Sequence, residues 1–492
     1  MSAIIREKKK GDRQMNFDLS KKHCYYFNEI SKIPRGSRNE KGISDYIVNF
    51  AKEHGFTYRQ DEVWNVIVNK PAAKGYEKAE PVILQAHIDM VCEKNKNVEH
   101  DFEKDPLELY VDEEGWLHAK GTTLGADDGH GVAYMLAILD EPELPAPALQ
   151  CVFTAMEEIG LLGAIALDAS DLHAKRYINL DAGGENQTCV SCSGGARAVM
   201  TKKLNFKETD APAYQLQVRG LKGGHSGGLI HLERGNAILL AARILEEMAD
   251  TVKDLRIADF NGGLKFNAIP READITFVTM TSVGDLNELL KKSADKIKAE
   301  LQFSDEGFFA ELVEIDPVTE AIGKKKTREI LDFLTVIPNG LQHRSMAIEG
   351  LTTSSLNAGV AYVKDGVFYI DDLIRSAAAS HSDTTIRQLE ILCPLFGFEF
   401  TLNDRYYGWE YEPKSKLREI LRKVLKEKGI EMKEKTTHGG LECGVFRGKI
   451  PGLDIVTYGP ISTGEHTPDE KMDLASFDRA YENLVEVLKR CK

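Results

Sequence analysis

Five short stretches constrain this chain more than any other feature, each placed where an apolar strand stops. They are QAHIDMV (85–91), GADDG (125–129), AMEEIG (155–160), NLDAG (179–183) and GEHTP (464–468). They hold His87, Asp89, Asp127, Glu157, Glu158, Asp181 and His466. Two imidazoles and several carboxylates, with no thiolate, form a mixed nitrogen and oxygen donor set. Zinc accepts such a set, and manganese and cobalt also use it. Residues 81–85, 149–156, 177–180 and 454–458 are near-continuous apolar runs, which suits strands covered on both faces by helices. In open α/β sheets, ligands lie beyond the carboxyl ends of the strands, and the candidate donors fall at or after such ends.

The spacings have physical reasons. His87 and Asp89 are two apart, so on extended backbone both side chains point the same way. His87 can then bind a metal while Asp89 orients its ring. Glu157 and Glu158 are adjacent and diverge, so one can bind a metal while the other faces a metal-bound water. Asp127 precedes 129–139, which reads as a helix, and Asp is favoured at helix starts. Taken singly, His-x-Asp reads as a surface or core pair, Glu-Glu as a solvated face and Asp-Asp-Gly as a turn. Their shared placement after strands favours a metal site.

These residues also resemble a known family. HIDMV, TTLGADDGHG, TAMEEIGLLGA, INLDAG and GEHTPDE are similar to motifs of the di-zinc exopeptidases that include bacterial carboxypeptidases and peptidase T. GGHSGG, KFNAIP, LIRSAAAS and HGGLECG extend the resemblance, which is strongest to the aminoacyl-histidine dipeptidase subgroup. It implies that His87 and Asp181 hold one zinc, Glu158 and His466 the other, and that Asp127 bridges them. It makes Glu157 the general base and Asp89 the support of His87. It implies that His225, on an inserted lid, polarises the scissile carbonyl. Asn267, Arg375, Gly439, Gly440 and Glu442 fall at positions that anchor substrate. The chain departs from the subgroup at Asp128, where Asn is common, so a second carboxylate stands beside the bridging position.

At 492 residues and 42% hydrophobic content, the chain exceeds one ordinary domain. The fold class expected is α/β: a discontinuous catalytic domain with a mixed sheet flanked by helices, interrupted by an inserted α+β lid. The expected bounds are 1–190 and 405–492 for the catalytic domain and 191–404 for the insert. Within the insert, Phe266-Asn267-Ala268 and Leu356-Asn357-Ala358 each precede strand-like residues, which suggests an internal duplication.

A net charge of −14 argues against nucleic acid. No run of eighteen apolar residues suggests a membrane span. The eight cysteines suit a reducing cytoplasm. Cys189 and Cys192 form an isolated Cys-x-x-Cys that lacks a second pair for a thiolate zinc site. Residues 1–14 read as a loose extension, with Met15 as an alternative start.

The expected activity is metal-dependent hydrolysis of dipeptides with a free C-terminal carboxylate, Xaa-His dipeptides first among them. The cofactors expected are two divalent ions, zinc by preference, sharing an activated water with Glu157 as base. A tripeptidase or an N-acyl-amino-acid deacylase would use the same metal core with another anchor. A peptide-binding module without catalysis would be expected to have lost a ligand or Glu157. The expected partner is a small peptide, and a homodimer is allowed for.

Overall fold

The computed structural model describes residues 17–492. The N-terminal extension and Met15 lie outside the described residues. The chain divides into two compact units. Unit 1 comprises the chain up to Val190 together with Tyr411–Lys435 and Val445–Lys492, and unit 2 comprises Ser191–Glu410 and Thr436–Gly444.

Unit 1 is built on a six-stranded mixed sheet in the order Thr57–Gln60, Val66–Lys70, Leu149–Thr154, Val82–His87, Arg176–Asn179 and Asp454–Thr457. The last four strands run parallel. Their carboxyl ends therefore lie at one edge, followed by Asp89, Glu157–Glu158, Asp181 and His466. The Val82–His87 and Leu149–Thr154 strands are buried at every position, as their unbroken apolar runs suggest. The helix Ala126–Leu139 is apolar nearly all round and almost wholly buried, which marks it as a core helix rather than an amphipathic surface one. Asp127 and Asp128 have non-helical dihedrals, so the regular helix begins at Gly129. A cis peptide bond joins the two aspartates.

Unit 2 contains a nine-stranded antiparallel sheet. Its path runs Phe309–Glu314, Ala213–Arg219, Ala273–Val278, Arg256–Gly262, Thr352–Lys364, Val367–Ser376, Gly194–Lys203 and Glu399–Tyr406, with Gly340–Arg344 beside Thr352–Lys364. Helices Ala237–Ala249, Val283–Glu300, Lys324–Val336 and Ala379–Leu395 contribute Ile238, Leu286, Leu331 and Leu389 to one apolar core.

The topology shows an internal duplication. Residues 213–314 form a βαββαβ unit whose strands stand in the order 4-1-3-2. The second half repeats that order from the seam outward, 2-3-1-4, but its first strand, Gly194–Lys203, precedes the first half in the chain. The halves join where Asn261 pairs with Tyr362 and Gly262 with Ala361.

Two sequence expectations change here. The tripeptides at 266–268 and 356–358 are not equivalent positions of the repeat. The first lies between strands two and three of its half, whereas the second lies inside strand two of the other. Residues 436–444, expected with the second catalytic segment, fold with unit 2. Ser193 N donates to Gly439 O at 2.9 Å and Thr437 N to Ser191 O at 3.1 Å, while Cys192 and Trp409 form a β-bridge.

Candidate active site

The strand ends of unit 1 bring the seven predicted residues of the metal site together. His87 is 1% exposed and its Nε2 lies 2.9 Å from Asp127 Oδ1. His466 Nε2 lies 3.2 Å from Asp127 Oδ2 and 3.0 Å from Glu158 Oε2. One carboxylate thus presents an oxygen to each histidine. Donor atoms of His87, Asp127 and Asp181 lie within 4.8 Å of one another, as do those of Asp127, Glu158 and His466, and those of His87, Glu157 and Glu158. Met156 and His466 hold positive φ of 52° and 63°. Non-glycine residues reach that region at a cost of about 1–3 kcal/mol, and such strain clusters at functional sites.

Asp89 does more than support His87. Its carboxylate lies 3.4 Å from His87 Nδ1, and its backbone oxygen lies 3.1 Å from the same nitrogen. It also accepts from Ser37 Oγ at 2.8 Å, Glu157 N at 3.0 Å and Glu158 N at 3.3 Å. One buried carboxylate therefore orients the ring and fixes the Glu157–Glu158 turn. Burial opposes its charge, but these donors outweigh it and hold the carboxyl below its usual range.

The charges fit a cation. Burial, then the neighbouring Asp127, drives Asp181 well above the normal carboxylate range. His466 is pushed up to about 10 by its hydrogen bonds to Asp127 and Glu158. Burial pulls His87 down, but hydrogen bonds to Asp127 and Asp89 outweigh it and raise it. Without an ion, protons on the imidazoles balance crowded carboxylates, a place that divalent ions take well. Glu158 Oε1 is buried with no hydrogen-bond partner among the described residues, leaving an acceptor for an ion to use.

Two supporting residues, Glu470 and Arg35, escape the sequence reading, and Asp128, noted there only as a second carboxylate beside the bridge, acquires a supporting role. Glu470 accepts from Leu124 N and Gly125 N at 2.8 Å and from Asp127 N at 3.3 Å, and burial raises its carboxyl to about 7. Arg35 donates to Ile88 O, Asp89 O and Gly125 O. Asp128 accepts from Gly131 N at 3.2 Å and His87 N at 3.3 Å, so it caps the helix and holds the strand end. Glu470 lies within the GEHTPDE motif, the one signal that singles it out. Arg35 lies in no quoted motif, and Asp128 lies in GADDG, which does not show that its carboxylate binds backbone amides.

Unit 2 gathers a second set. His225 Nδ1 accepts from Gly227 N at 3.2 Å, which puts the proton of the neutral ring on Nε2. Burial and then Arg375 lower its pKa, keeping it neutral. His225 pairs with Ala268, and Ser226 N donates to Asn267 O at 2.9 Å, so His225 and Asn267 are joined through a small two-stranded antiparallel ribbon of segments distant in the chain. Arg375 is 6% exposed, and its Nε reaches Ser226 Oγ at 3.4 Å. Burial lowers its pKa, and its hydrogen bond to the Tyr406 hydroxyl opposes that shift. No carboxylate among the described residues forms an ion pair with it.

His438 Nε2 and Ser355 Oγ are hydrogen-bonded at 2.7 Å, and burial, then Arg375, pushes His438 down to about 3. At Gly440 a Cβ would stand 2.5 Å from the Tyr406 hydroxyl, so only glycine fits there. Gly439 N donates to Thr437 Oγ1 at 2.9 Å. Glu442 is fully buried in the first turn of the helix Glu442–Lys449. His231 and His381 contribute no hydrogen bond to this set.

A model of Peptidase family M20/M25/M40 matches residues 83–490. The chain belongs to this family and is a hydrolase acting on peptide bonds. The cytosol non-specific dipeptidase of Escherichia coli (strain K12) is 37% identical over 473 residues, covering 94% of this chain and 96% of that protein. The crystal structure of aminoacylhistidine dipeptidase from Vibrio alginolyticus is 34% identical with a TM-score of 0.87, over 95% of this chain and 96% of that one. A tripeptidase from Staphylococcus aureus superposes with a TM-score of 0.55 over 97% of this chain and 99% of that one, at 16% identity, a likeness of fold alone.

Proposed function

We propose that this chain is a metallodipeptidase that cleaves dipeptides bearing a free C-terminal carboxylate, Xaa-His dipeptides among them. The observation that carries the reading is Asp127, whose two oxygens face His87 and His466 separately. In this reading His87 and Asp181 hold one divalent ion, Glu158 and His466 hold a second, and Asp127 serves both. The nitrogen and oxygen donors suit zinc, with manganese and cobalt as alternatives. When bound, the ions would supply Lewis-acid polarisation and an acidified water at neutral pH.

The protein's own groups do the rest. Glu157, fixed through its backbone N–H by Asp89, takes the proton from the attacking water and passes it to the leaving amine. His225 offers a neutral Nε2–H to the carbonyl oxygen as charge develops there. Arg375 is a buried guanidinium without a carboxylate, and the substrate's C-terminal carboxylate completes it through charge-assisted hydrogen bonds. In this reading Asn267, Gly439, Gly440 and Glu442 belong to the same substrate anchor. The Escherichia coli relative's name places that protein in the cytosol, and we carry this location over.

A dipeptide panel tests the reading, with chelated enzyme compared with enzyme reloaded with zinc, manganese or cobalt. The panel needs non-histidine dipeptides, since one relative is named non-specific and the other for aminoacyl-histidine. Metal-restored cleavage of free-acid dipeptides is expected. Faster turnover of tripeptides or N-acyl amino acids would move the assignment to those classes.

A further inference from the structure

The strand Thr352–Lys364 supports both parts of the anchor set in unit 2. Ser355 and Asn357 lie two apart in a stretch of regular pairing, so their side chains leave the same face. Ser355 holds His438 at 2.7 Å. Asn357 holds the ribbon that carries His225. Its Nδ2 donates to Phe266 O and to Ala268 O, both at 2.9 Å, so its two amide hydrogens straddle Asn267. Ala268 is the residue paired with His225. The same stretch comes so close to the segment before Ala268 that a Cβ at Gly359 would stand 2.4 Å from Phe266 O. Asn357 is itself fixed, because its backbone N–H donates to Asp372 Oδ1 at 2.9 Å.

The arrangement carries a cost beside its hydrogen bonds. Asn357 is 1% exposed and Asp372 fully buried. Asn357 Oδ1 and Asp372 Oδ2 are both without a hydrogen-bond partner among the described residues. Unpaired buried acceptors are a net liability, and an apolar pair of similar shape would avoid it. What the pair provides is a fixed position for the carbonyls on either side of Asn267.

We propose that Asn357, held by Asp372, is a positioning residue that acts through Ala268 to set His225 in the orientation its role on the substrate requires. The inference rests on the reading that His225 acts on the substrate. The experiment is a double-mutant cycle in the full-length, zinc-loaded protein: wild type, Asn357→Ala, His225→Ala and the double variant. kcat and KM on a free-acid dipeptide, bound metal and the unfolding midpoint are measured for each.

Asn357→Ala should lower kcat/KM about 10–100-fold in the wild-type background, chiefly through kcat, with metal content unchanged. In the His225→Ala background it should lower it less than about threefold, because the group it positions is gone. Equal factors in the two backgrounds would overturn the proposal, since a merely structural loss acts regardless of His225. If Asn357→Ala does not fold, the isosteric Asn357→Asp, which removes both donors, and Asp372→Asn enter the same cycle under the same criterion. A His225→Ala variant with unchanged kcat/KM would instead defeat the reading of His225, and the positioning proposal with it. A large His225→Ala loss with an additive cycle defeats the positioning proposal alone.

Discussion

The ionisable groups of unit 1's site face one another, whereas the buried Arg375 guanidinium of unit 2 forms no ion pair with a carboxylate among the described residues. Asp127, Glu158, His87 and His466 balance one another through short contacts, and the Glu157 and Asp181 carboxylates beside them add the negative charge that invites cations. Arg375 is buried with a serine and a tyrosine as its polar neighbours, and its uncompensated charge invites an anion. A site for a permanently resident ion can balance itself while waiting. A site for a substrate that comes and goes has to keep its partner position open, and open burial of charge lowers stability.

The largest effect that would break this contrast concerns the base. Glu157→Gln should keep bound metal but reduce turnover by about 10²–10⁴-fold, while Glu158→Ala should lower metal content by elemental analysis. Near wild-type turnover in Glu157→Gln would reverse the two assignments. Next comes the anchor. Arg375→Ala should lower kcat/KM on a free-acid dipeptide by about tenfold or more and narrow the gap between acid and amide. Equal wild-type rates on acid and amide would mean that unit 2 does not read a carboxylate.

A smaller effect sharpens the electrostatic side. His438 is held at about 3 by burial and Arg375, below its unfolded value of about 6.5. The unfolded chain thus binds the extra proton between these values. Stability from this group is fully present above pH of about 6.5 and is lost as the pH falls toward 3, by up to about 1.4 kcal/mol per pH unit. Denaturation midpoints across that window should show a shallower pH slope in His438→Gln than in the wild type. The smallest expected effect is Arg375→Met, which removes the unpaired charge and keeps volume. A gain of about 1 kcal/mol would raise Tm by about 2–4 °C, and a fall in Tm would mean that the guanidinium is compensated after all.

The sequence made most of unit 1's site legible for a physical reason. Parallel strands deliver their ends to one edge, so side-chain types placed after apolar runs mark the site however far apart they lie. It missed Arg35, and it noted Asp128 without its supporting role, because both work through backbone amides and carbonyls, whose whereabouts depend on the fold. Glu470 stood within a recognised motif yet carried no distinguishing spacing. In unit 2 the similar tripeptides at 266–268 and 356–358 pointed to duplication, which the topology shows. The inference from these particular residues fails, because Asn357 touches the carbonyls flanking Asn267 instead of occupying its counterpart. The fold of 436–444 with unit 2 was hidden because nothing in the sequence of a loop records which backbone it will pair with.

The nesting of the two halves of unit 2 has a bearing on synthesis. Gly194–Lys203 pairs on one side with Val367–Ser376 and on the other with Glu399–Tyr406. At roughly 5–20 residues per second, a ribosome would make this strand wait on the order of ten seconds or more for either neighbour. During that delay residues 213–314 emerge with their whole βαββαβ complement and can fold first. The half that carries His225 and Asn267 then serves as the template edge on which the later half assembles, before Asp454–Thr457 arrives to complete the sheet of unit 1.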